Sequence, residues 1–357
     1  MVETMKNKRN QKRNKVNINE GIFNFIMRFI LVIFILPKVI ENLLIQSGSN
    51  SITAKFKKSS SGSQKIIKCG GEVLSNIFTY PEKIRINYGT KENYVYNNKY
   101  SLTEELNIIE YFWDDVSITS CETMFYGCVN IIEIDFSLIN TSKVTTTQSM
   151  FAYCEELVSL NLSNFDTSKV TSMDAMFFEC HSLISLDLSS FDTSHASILS
   201  RMFSNCYSLI SLDLSNFDTS QAFGIYNSNY GGMKEMFYNC SSLTSLNLFK
   251  FNISKEVKIE DMFFQCKNLS YINFGNATIE NEAIISELNK AFSPNLYTLI
   301  NNETLTYLNS LSDTFNFSYG LYNPQKEINF KSTTFLEVYS TYYITNSEID
   351  LINNSLF

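Results

Sequence analysis

The chain is poor in histidine, glycine, proline and charge, and each scarcity excludes a class of protein. Two His in 357 residues leave little material for His-based catalysis or for zinc binding. With 12 Gly and 4 Pro, the sequence excludes collagen and Pro-rich linkers. Charged residues make up 18% and hydrophobic residues 44%, the opposite of the balance in a wholly disordered chain. The net charge of −8 argues against nucleic-acid binding, which needs clustered Lys and Arg.

Groupings of residues that carry catalysis are also missing from the sequence. We find no phosphate-binding loop, no dinucleotide fingerprint and no Ser/His/Asp or Cys/His grouping around His181 and His195. No C-x-x-C pair occurs among the 8 Cys, so a zinc site is not expected. We therefore expect a protein that is not an enzyme, with no catalytic residues, metal or cofactor.

The N-terminus combines a basic flank with an apolar stretch. Residues 22–36 read IFNFIMRFILVIFIL, and apolar residues resume up to residue 45. This order predicts a basic cytoplasmic N-terminus over residues 1–21 and a signal peptide or uncleaved signal-anchor helix over 22–46. A buried helix of a soluble protein is the alternative. Residues 1–20 contain six basic residues against Glu3 and Glu20, namely Lys6, Lys8, Arg9, Lys12, Arg13 and Lys15.

The strongest signal in the sequence is an internal repeat. The string M-F-x-x-C occurs six times, with its Cys residues 26, 26, 26, 34 and 26 positions apart. The spacing of 34 contains an insertion of eight residues around residues 222–232. Six cysteines in one repeat phase predict a ladder of small buried side chains in a stacked core. The ladder consists of Cys128, Cys154, Cys180, Cys206, Cys240 and Cys266.

Each cysteine is followed by the same pattern of apolar residues. Leucines follow Cys180 at Leu183, Leu186 and Leu188, and this L-x-x-L-x-L spacing predicts a turn leading into a short strand. The segment that ends at Cys180 places Met173, Met176 and Phe177 on what would be one apolar face of a short helix. One repeat cannot bury its apolar face alone, whereas stacked repeats form one continuous core.

The units CHSLISLDLSSFDTS and CYSLISLDLSNFDTS and the linking segment KVTSMDAMFFEC resemble the BspA-like leucine-rich repeat family, in the Mycoplasma-lipoprotein-type branch with repeats of 26 residues. The resemblance implies an α/β leucine-rich-repeat solenoid of about six strand-turn-helix units over residues 117–277. It also implies display on a cell surface and a part in adhesion. The sequence departs from the family in its eight-residue insertion and in lacking a C-terminal hydrophobic anchor.

The regions beside the repeats are less regular. Residues 47–65 are rich in Ser and Lys and are interpreted as a spacer. Residues 66–116 contain β-like stretches and predict a small β-rich N-terminal cap. Residues 278–357 begin with an amphipathic pattern over 280–292, which predicts a helix in a C-terminal cap followed by a loosely ordered tail.

Polar residues on the predicted strands form the first candidate binding face. The alternative is that they are the solvent-exposed side of a sheet with no binding role. The inserted loop, with Phe223, Tyr226 and Tyr230, is the second candidate, and a tolerated surface insertion is its alternative. If a disulfide forms, we expect it between Cys69 and Cys121, which lie outside the repeat phase. The candidate face comprises Asp135, Asn161, Asp187, Asp213, Asn247 and Asn273, with Ser159, Ser185, Ser211 and Ser245.

Together these features predict a cell-surface or secreted scaffold, held to the membrane by its N-terminal segment, that binds a protein or glycan partner and no nucleic acid. A structural coat protein whose repeats self-associate is one alternative. An interaction scaffold inside the cell or a lumen is another, and an enzyme with its site in the C-terminal 80 residues is a third. The oligomeric state and the identity of the ligand stay open.

Overall fold

The computed structural model describes residues 50–60, 63–67, 80–90, 92–93, 99–113, 117–223, 231–291, 296–311 and 318–321. The chain divides into two compact units, Met1–Asn50 and Ser51–Phe357, and the described elements belong to the second. The predicted basic N-terminus and the segment 22–46 lie outside the described residues. Within the described ranges, no helix is long and apolar enough to cross a membrane.

The described residues form short strands and two helices. Before and within the first repeats the strands are β1 Ser51–Lys57, β2 Ser63–Gln64, β3 Lys83–Ile86, β4 Glu92–Asn93, β5 Tyr100–Ser101, β6 Leu106–Phe112, β7 Ile131–Leu138 and β8 Ser159–Asn161. The remaining elements are β9 Ser211–Asp213, β10 Ser245–Asn247, β11 Asn252–Ile253, β12 Tyr271–Asn273, β13 Thr278–Ile279, α1 Ile284–Asn289, β14 Tyr297–Ile300, α2 Asn302–Leu311 and β15 Ser318–Leu321.

The repeats stack as the coils of a β-solenoid, so the predicted repeat solenoid is confirmed. We number the six coils by their cysteines, from coil 1 at Cys128 to coil 6 at Cys266. Strands of successive coils pair in parallel and in register, as Ile134 with Leu160 and Leu246 with Ile272 show. Leu212 pairs with Leu246 across the insertion, so the extra residues do not change the register. In coil 3, the corresponding residues 185–187 do not form a strand.

The predicted helix in each repeat is wrong, and the fold is therefore not an α/β strand-turn-helix solenoid. The segment that ends at Cys180 forms tight turns, in which Met176 N–H bonds Met173 O and Cys180 N–H bonds Phe177 O, both at 3.2 Å. Ala175 and Glu179 have φ of 54° and 61°, a left-handed conformation that interrupts a right-handed helix. Other N–H groups bond the next coil, as Ala175 N–H does to Ser200 O at 2.8 Å.

The same pair of left-handed positions recurs in every coil, one and five residues before the cysteine. Spacings of three, four and seven residues fit consecutive tight turns as well as they fit a helix, because both bring those side chains to one side. Met173, Met176, Phe177 and Cys180 are accordingly all buried, as the pattern predicted. The pattern identified the core residues correctly and the backbone incorrectly.

The core is a set of stacked rows that run through the coils. The phenylalanine three residues before each cysteine lies on its counterpart in the next coil, with ring centroids 5.5 to 6.1 Å apart and planes within 12°. Burial of one such side chain contributes roughly 1.5–3 kcal/mol to folding, and each ring pair adds about 0.5–1.5 kcal/mol. The row consists of Phe125, Phe151, Phe177, Phe203, Phe237 and Phe263.

The N-terminal strands close the first coil by extending its sheet. The strand order is β4-β3-β6-β1-β7-β8, in which β1 pairs antiparallel with β6 and with β7 of coil 1. A buried ion pair between Arg85 and Glu110 joins β3 to β6 at 2.5 Å. The region 66–116 supplies β3 to β6, whereas β1 comes from residues 51–57. The spacer interpretation is wrong for those residues, because alternate side chains of β1, including Ile52, Ala54 and Phe56, are buried.

The solenoid continues beyond residue 277, where the repeat pattern in the sequence fades. Strand β14 pairs in parallel with β12, and β15 pairs with β14. Here a helix does replace the tight turns, since Glu287 N–H bonds Ala283 O at 2.9 Å. The predicted helix over 280–292 is present but shorter, because α1 covers only Ile284–Asn289.

Candidate binding surfaces

The cysteine row faces the interior of the solenoid. Each thiol from Cys154 to Cys266 donates to the carbonyl of the core phenylalanine in the preceding coil, at 3.0 to 3.2 Å. Burial raises the pKa of each of these thiols, to about 12 for Cys266. These five side chains are free and buried, so they complete the core and present no nucleophile to solvent.

The predicted Cys69–Cys121 disulfide is wrong, because Cys121 is a free and fully buried thiol. Cys121 lies seven residues before Cys128, the position that Met173 and Leu199 occupy in coils 3 and 4. It therefore fills an apolar slot of the repeat, which its sequence position could have revealed. Cys128 is disulfide-bonded and so differs from the other members of the ladder. Cys69 lies outside the described residues.

The predicted strand face is exposed in the middle of the solenoid only. Ser159, Asn161, Ser185, Asp187 and Asp213 are exposed. Asp135 and Ser211, near the same face, are half-buried. Towards the C-terminal end, Ser245, Asn247 and Asn273 are buried at 3%, 1% and 1% exposure. The structure therefore brings the ten predicted residues into parallel rows, but it exposes only part of them.

Much of the hydrogen-bonding capacity of this face is used by the fold. Asp187 accepts the N–H of Ser189 at 3.0 Å, and Asp213 accepts the N–H of Ser215 at 3.0 Å. The backbone N–H of Ser189, and then its hydroxyl, lower the pKa of Asp187. Asn161 also donates to Asp135 of the preceding coil at 2.8 Å. These side chains end the strands by capping local turns and join neighbouring coils.

An exposed aliphatic row lies beside this face and was missed in the sequence. Val158, Ile184 and Ile210 each follow their cysteine by four residues and are 46–49% exposed. Ile132 occupies the same position in coil 1 and is half-buried, whereas Thr244 and Ser270 replace the aliphatic residues in coils 5 and 6. The sequence did contain a signal for this row, because each aliphatic residue directly follows a buried leucine. Alternate side chains of a strand point to opposite faces, so the residue after a buried leucine points to solvent.

The inserted loop is described only at its start. Phe223 is 45% exposed, while Tyr226 and Tyr230 lie outside the described residues. The loop begins after Ala222, which is buried and donates its N–H to Thr219 O at 3.0 Å. Its proposed role in binding stays a prediction.

A second surface that the sequence did not reveal is a row of aromatic side chains along the tight turns. Each of the six coils contributes one half-buried ring, and we call this row the aromatic edge. Tyr153 contacts its neighbours on both sides, with centroids 5.3 and 5.2 Å away and interplanar angles of 68° and 82°. The aromatic edge consists of Tyr126, Tyr153, Phe178, Tyr207, Tyr238 and Phe264.

Planar polar side chains accompany the aromatic edge. Asn205 donates to Glu179 at 2.7 Å, and Asn239 donates to Asn205 at 3.0 Å, so one hydrogen-bonded row crosses three coils. His181 contacts Glu179 at 2.5 Å and stacks on Tyr207 at 4.7 Å. Burial, followed by nearby charge including that of Glu179, raises the pKa of Tyr207. Within the described part of the chain, no group of three or more His, Cys, Asp or Glu could hold a metal ion.

The coils, core rows and surfaces define the described chain as a β-solenoid repeat protein. Three overlapping segments, residues 119–227, 160–276 and 226–295, match the family described as "Mycoplasma protein of unknown function, DUF285". The matched residues run from just before coil 1 to six residues beyond α1, so the similarity is to the repeat itself. No curated protein matches the chain.

Proposed function

We propose that the protein is a non-enzymatic interaction scaffold, displayed on a cell surface or secreted, whose solenoid binds a protein or glycan partner. The observation that carries this proposal is the chemical difference between the core of the solenoid and its surface. The thiols that repeat through the core are buried and hydrogen-bonded. The outside carries a polar row and an aliphatic row in its middle coils, and an aromatic ring in each of the six coils. Stacked repeats characteristically present such rows as extended binding surfaces.

The surface location is supported by the order of basic and apolar residues in the N-terminal 46 residues. Protease shaving of intact cells that carry a C-terminally tagged copy tests it. We expect the tag to be lost while a cytoplasmic marker protein survives. A tag that is protected in intact cells but cleaved after lysis would contradict surface display and favour an internal scaffold.

A second function, a self-associating coat, is favoured by the exposed aliphatic row of Val158, Ile184 and Ile210. Copies that meet through this row would bury apolar side chains that the single chain leaves in water. Sedimentation of the full chain at increasing concentration separates the two functions. Association that rises with concentration and is lost on Ile184→Asp, but not on Ser185→Asp, would favour the coat.

A further inference from the structure

The aromatic edge differs from the core rows in how its residues are placed. The core phenylalanines always lie three residues before the cysteine. The ring on the edge lies two residues before it in four coils, one before it in Tyr153 of coil 2 and one after it in Tyr207 of coil 4. A residue that only fills a packing slot would keep its position in every coil. In coils 2 and 4 the position changes, while each coil still supplies one ring to the same surface.

The ring geometry leaves aromatic faces for a ligand. In an edge-to-face pair, the ring that contributes its edge keeps both faces uncovered by that neighbour. The contacts of Tyr153 with Tyr126 and Phe178 are both of this kind. All three side chains are half-buried, so they are held in place and still reach solvent.

We propose that the aromatic edge is a binding site for a neutral, extended glycan, with Tyr126, Tyr153 and Phe178 as stacking platforms and Glu179 and Asn205 as hydrogen-bonding partners. This inference rests on the proposed function and names its ligand class and surface. A pyranose ring has an apolar C–H face that stacks on aromatic rings. Its neighbouring hydroxyl groups bond well with planar amides and carboxylates, which donate and accept in one plane.

The dimensions and charge of the edge select this ligand class. Contacting rings in successive coils are 5.1 to 5.3 Å apart, close to the length of one sugar residue in an extended chain. A narrow row with this repeat matches a linear polymer better than the compact face of a protein. The carboxylates of Glu155 and Glu179 lie beside the row and would repel phosphate or an acidic polysaccharide.

Calorimetric titration of the purified full chain with cellohexaose, chitohexaose and mannohexaose tests the proposal. We expect at least one hexasaccharide to bind, and Tyr153→Ala and Asn205→Ala each to weaken that binding about tenfold or more. Asn205→Ala leaves every ring in place, so it keeps the test valid if the tyrosine variant misfolds. Lys169→Ala and Thr171→Val, at exposed residues outside the aromatic edge and the strand face, are the matched controls and should bind like the unmodified chain.

Three outcomes would overturn the proposal: none of the three hexasaccharides binds, binding survives both edge variants, or the control variants Lys169→Ala and Thr171→Val abolish it. A second experiment distinguishes failure of the glycan proposal from failure of the proposed function. It measures binding of the labelled chain to cells before and after the cells are treated with periodate or protease. Loss on periodate oxidation alone supports a glycan ligand. Loss on protease treatment alone contradicts the glycan and preserves the interaction scaffold. Absence of cell binding, together with a protected tag in the shaving experiment, contradicts the function itself.

Discussion

The hydroxyl of Thr167 makes two hydrogen bonds to one residue of the next coil. It donates to the carbonyl of Asp192 at 2.8 Å and accepts the N–H of Asp192, also at 2.8 Å. Thr193 repeats both bonds with Asp218, at 2.9 and 2.8 Å. The buried hydroxyl thus satisfies the backbone N–H and C=O groups that a neighbouring strand would otherwise satisfy. It does so at a corner of the coil where these residues are not in a sheet.

Replacement of Thr167 by Val should therefore destabilise the protein by about 1–3 kcal/mol, because the N–H of Asp192 is left without a partner. Thr171→Val is the matched control, since Thr171 is exposed and bonds Thr145 O at 3.3 Å. Its effect should stay within about 0.5 kcal/mol. Urea denaturation followed by circular dichroism measures both. Equal losses for the two variants would contradict the role given to Thr167.

One pair of serines distinguishes tight turns from helix. Ser149 has φ of 52°, whereas Ser286 lies in α1. Glycine adopts the left-handed conformation without the ~1–2 kcal/mol that other residues pay, yet it weakens a helix by about 0.5 kcal/mol relative to serine. Ser149→Gly should raise the free energy of unfolding and Ser286→Gly should lower it. A loss of stability in both variants would mean that the segment before Cys154 is helical after all.

The cysteines should fall into two classes in a labelling experiment. Cys121 and Cys180 are buried thiols whose pKa is raised by burial, so iodoacetamide should modify them only after denaturation. Cys128 is disulfide-bonded and should need reduction as well. Mass-spectrometric mapping under native, denatured and reduced conditions reads out each site. Modification of Cys180 in the native protein at its denatured rate would contradict the buried ladder.

Stability should fall in acid because the turn aspartates are hydrogen-bonded as carboxylates. The hydroxyl and N–H of Ser168 lower the pKa of Asp166, and those of Ser194 lower the pKa of Asp192. A pKa that is lower in the folded state contributes stability above the unfolded value of about 3.9, which is lost as the pH falls through the folded pKa.

Urea midpoints measured from pH 6 to pH 2 should therefore drop below about pH 4. The double variant Asp166→Asn, Asp192→Asn should show a shallower drop in that range. Asn140 already fills this position in coil 1 and accepts the N–H of Ser142 at 3.0 Å, so the neutral side chain preserves the turn. An unchanged slope in the double variant would show that other groups cause the acid loss.

The periodic residues predicted the solenoid, its register and most of its core. Leu183, Phe177 and Cys180 are buried as their spacing required, because side chains at one repeat phase must meet when identical coils stack. The backbone before each cysteine was not predictable in this way. Whether Ala175 and Glu179 adopt left-handed φ depends on carbonyls of the next coil, which accept their N–H groups, and that contact does not exist in a single repeat.

The candidate surfaces were predicted less well than the core. Most strand-face residues from Ser159 to Asp213 are exposed, whereas Ser245 and Asn247 at the same repeat positions are buried, a difference that the repeat pattern does not contain. The aromatic edge was missed because Tyr153 and Tyr207 leave the repeat position that the other four rings share, which interrupts the periodic pattern. Periodicity identifies residues that occupy the same position in every repeat. It does not identify residues that lie on one surface but occupy different positions.

The sequence by itself determined that this chain stacks six coils, since the recurring Met-Phe-Cys and leucine positions can be buried only against their own copies. The tertiary structure alone decided the conformation of the turns, the partner of each buried thiol and hydroxyl, and the side chains that reach solvent. The physical reason is that these features depend on hydrogen bonds and burial between coils. A linear pattern specifies which residues are apolar, and only the stacked coils supply the donors and acceptors that fix the backbone between them.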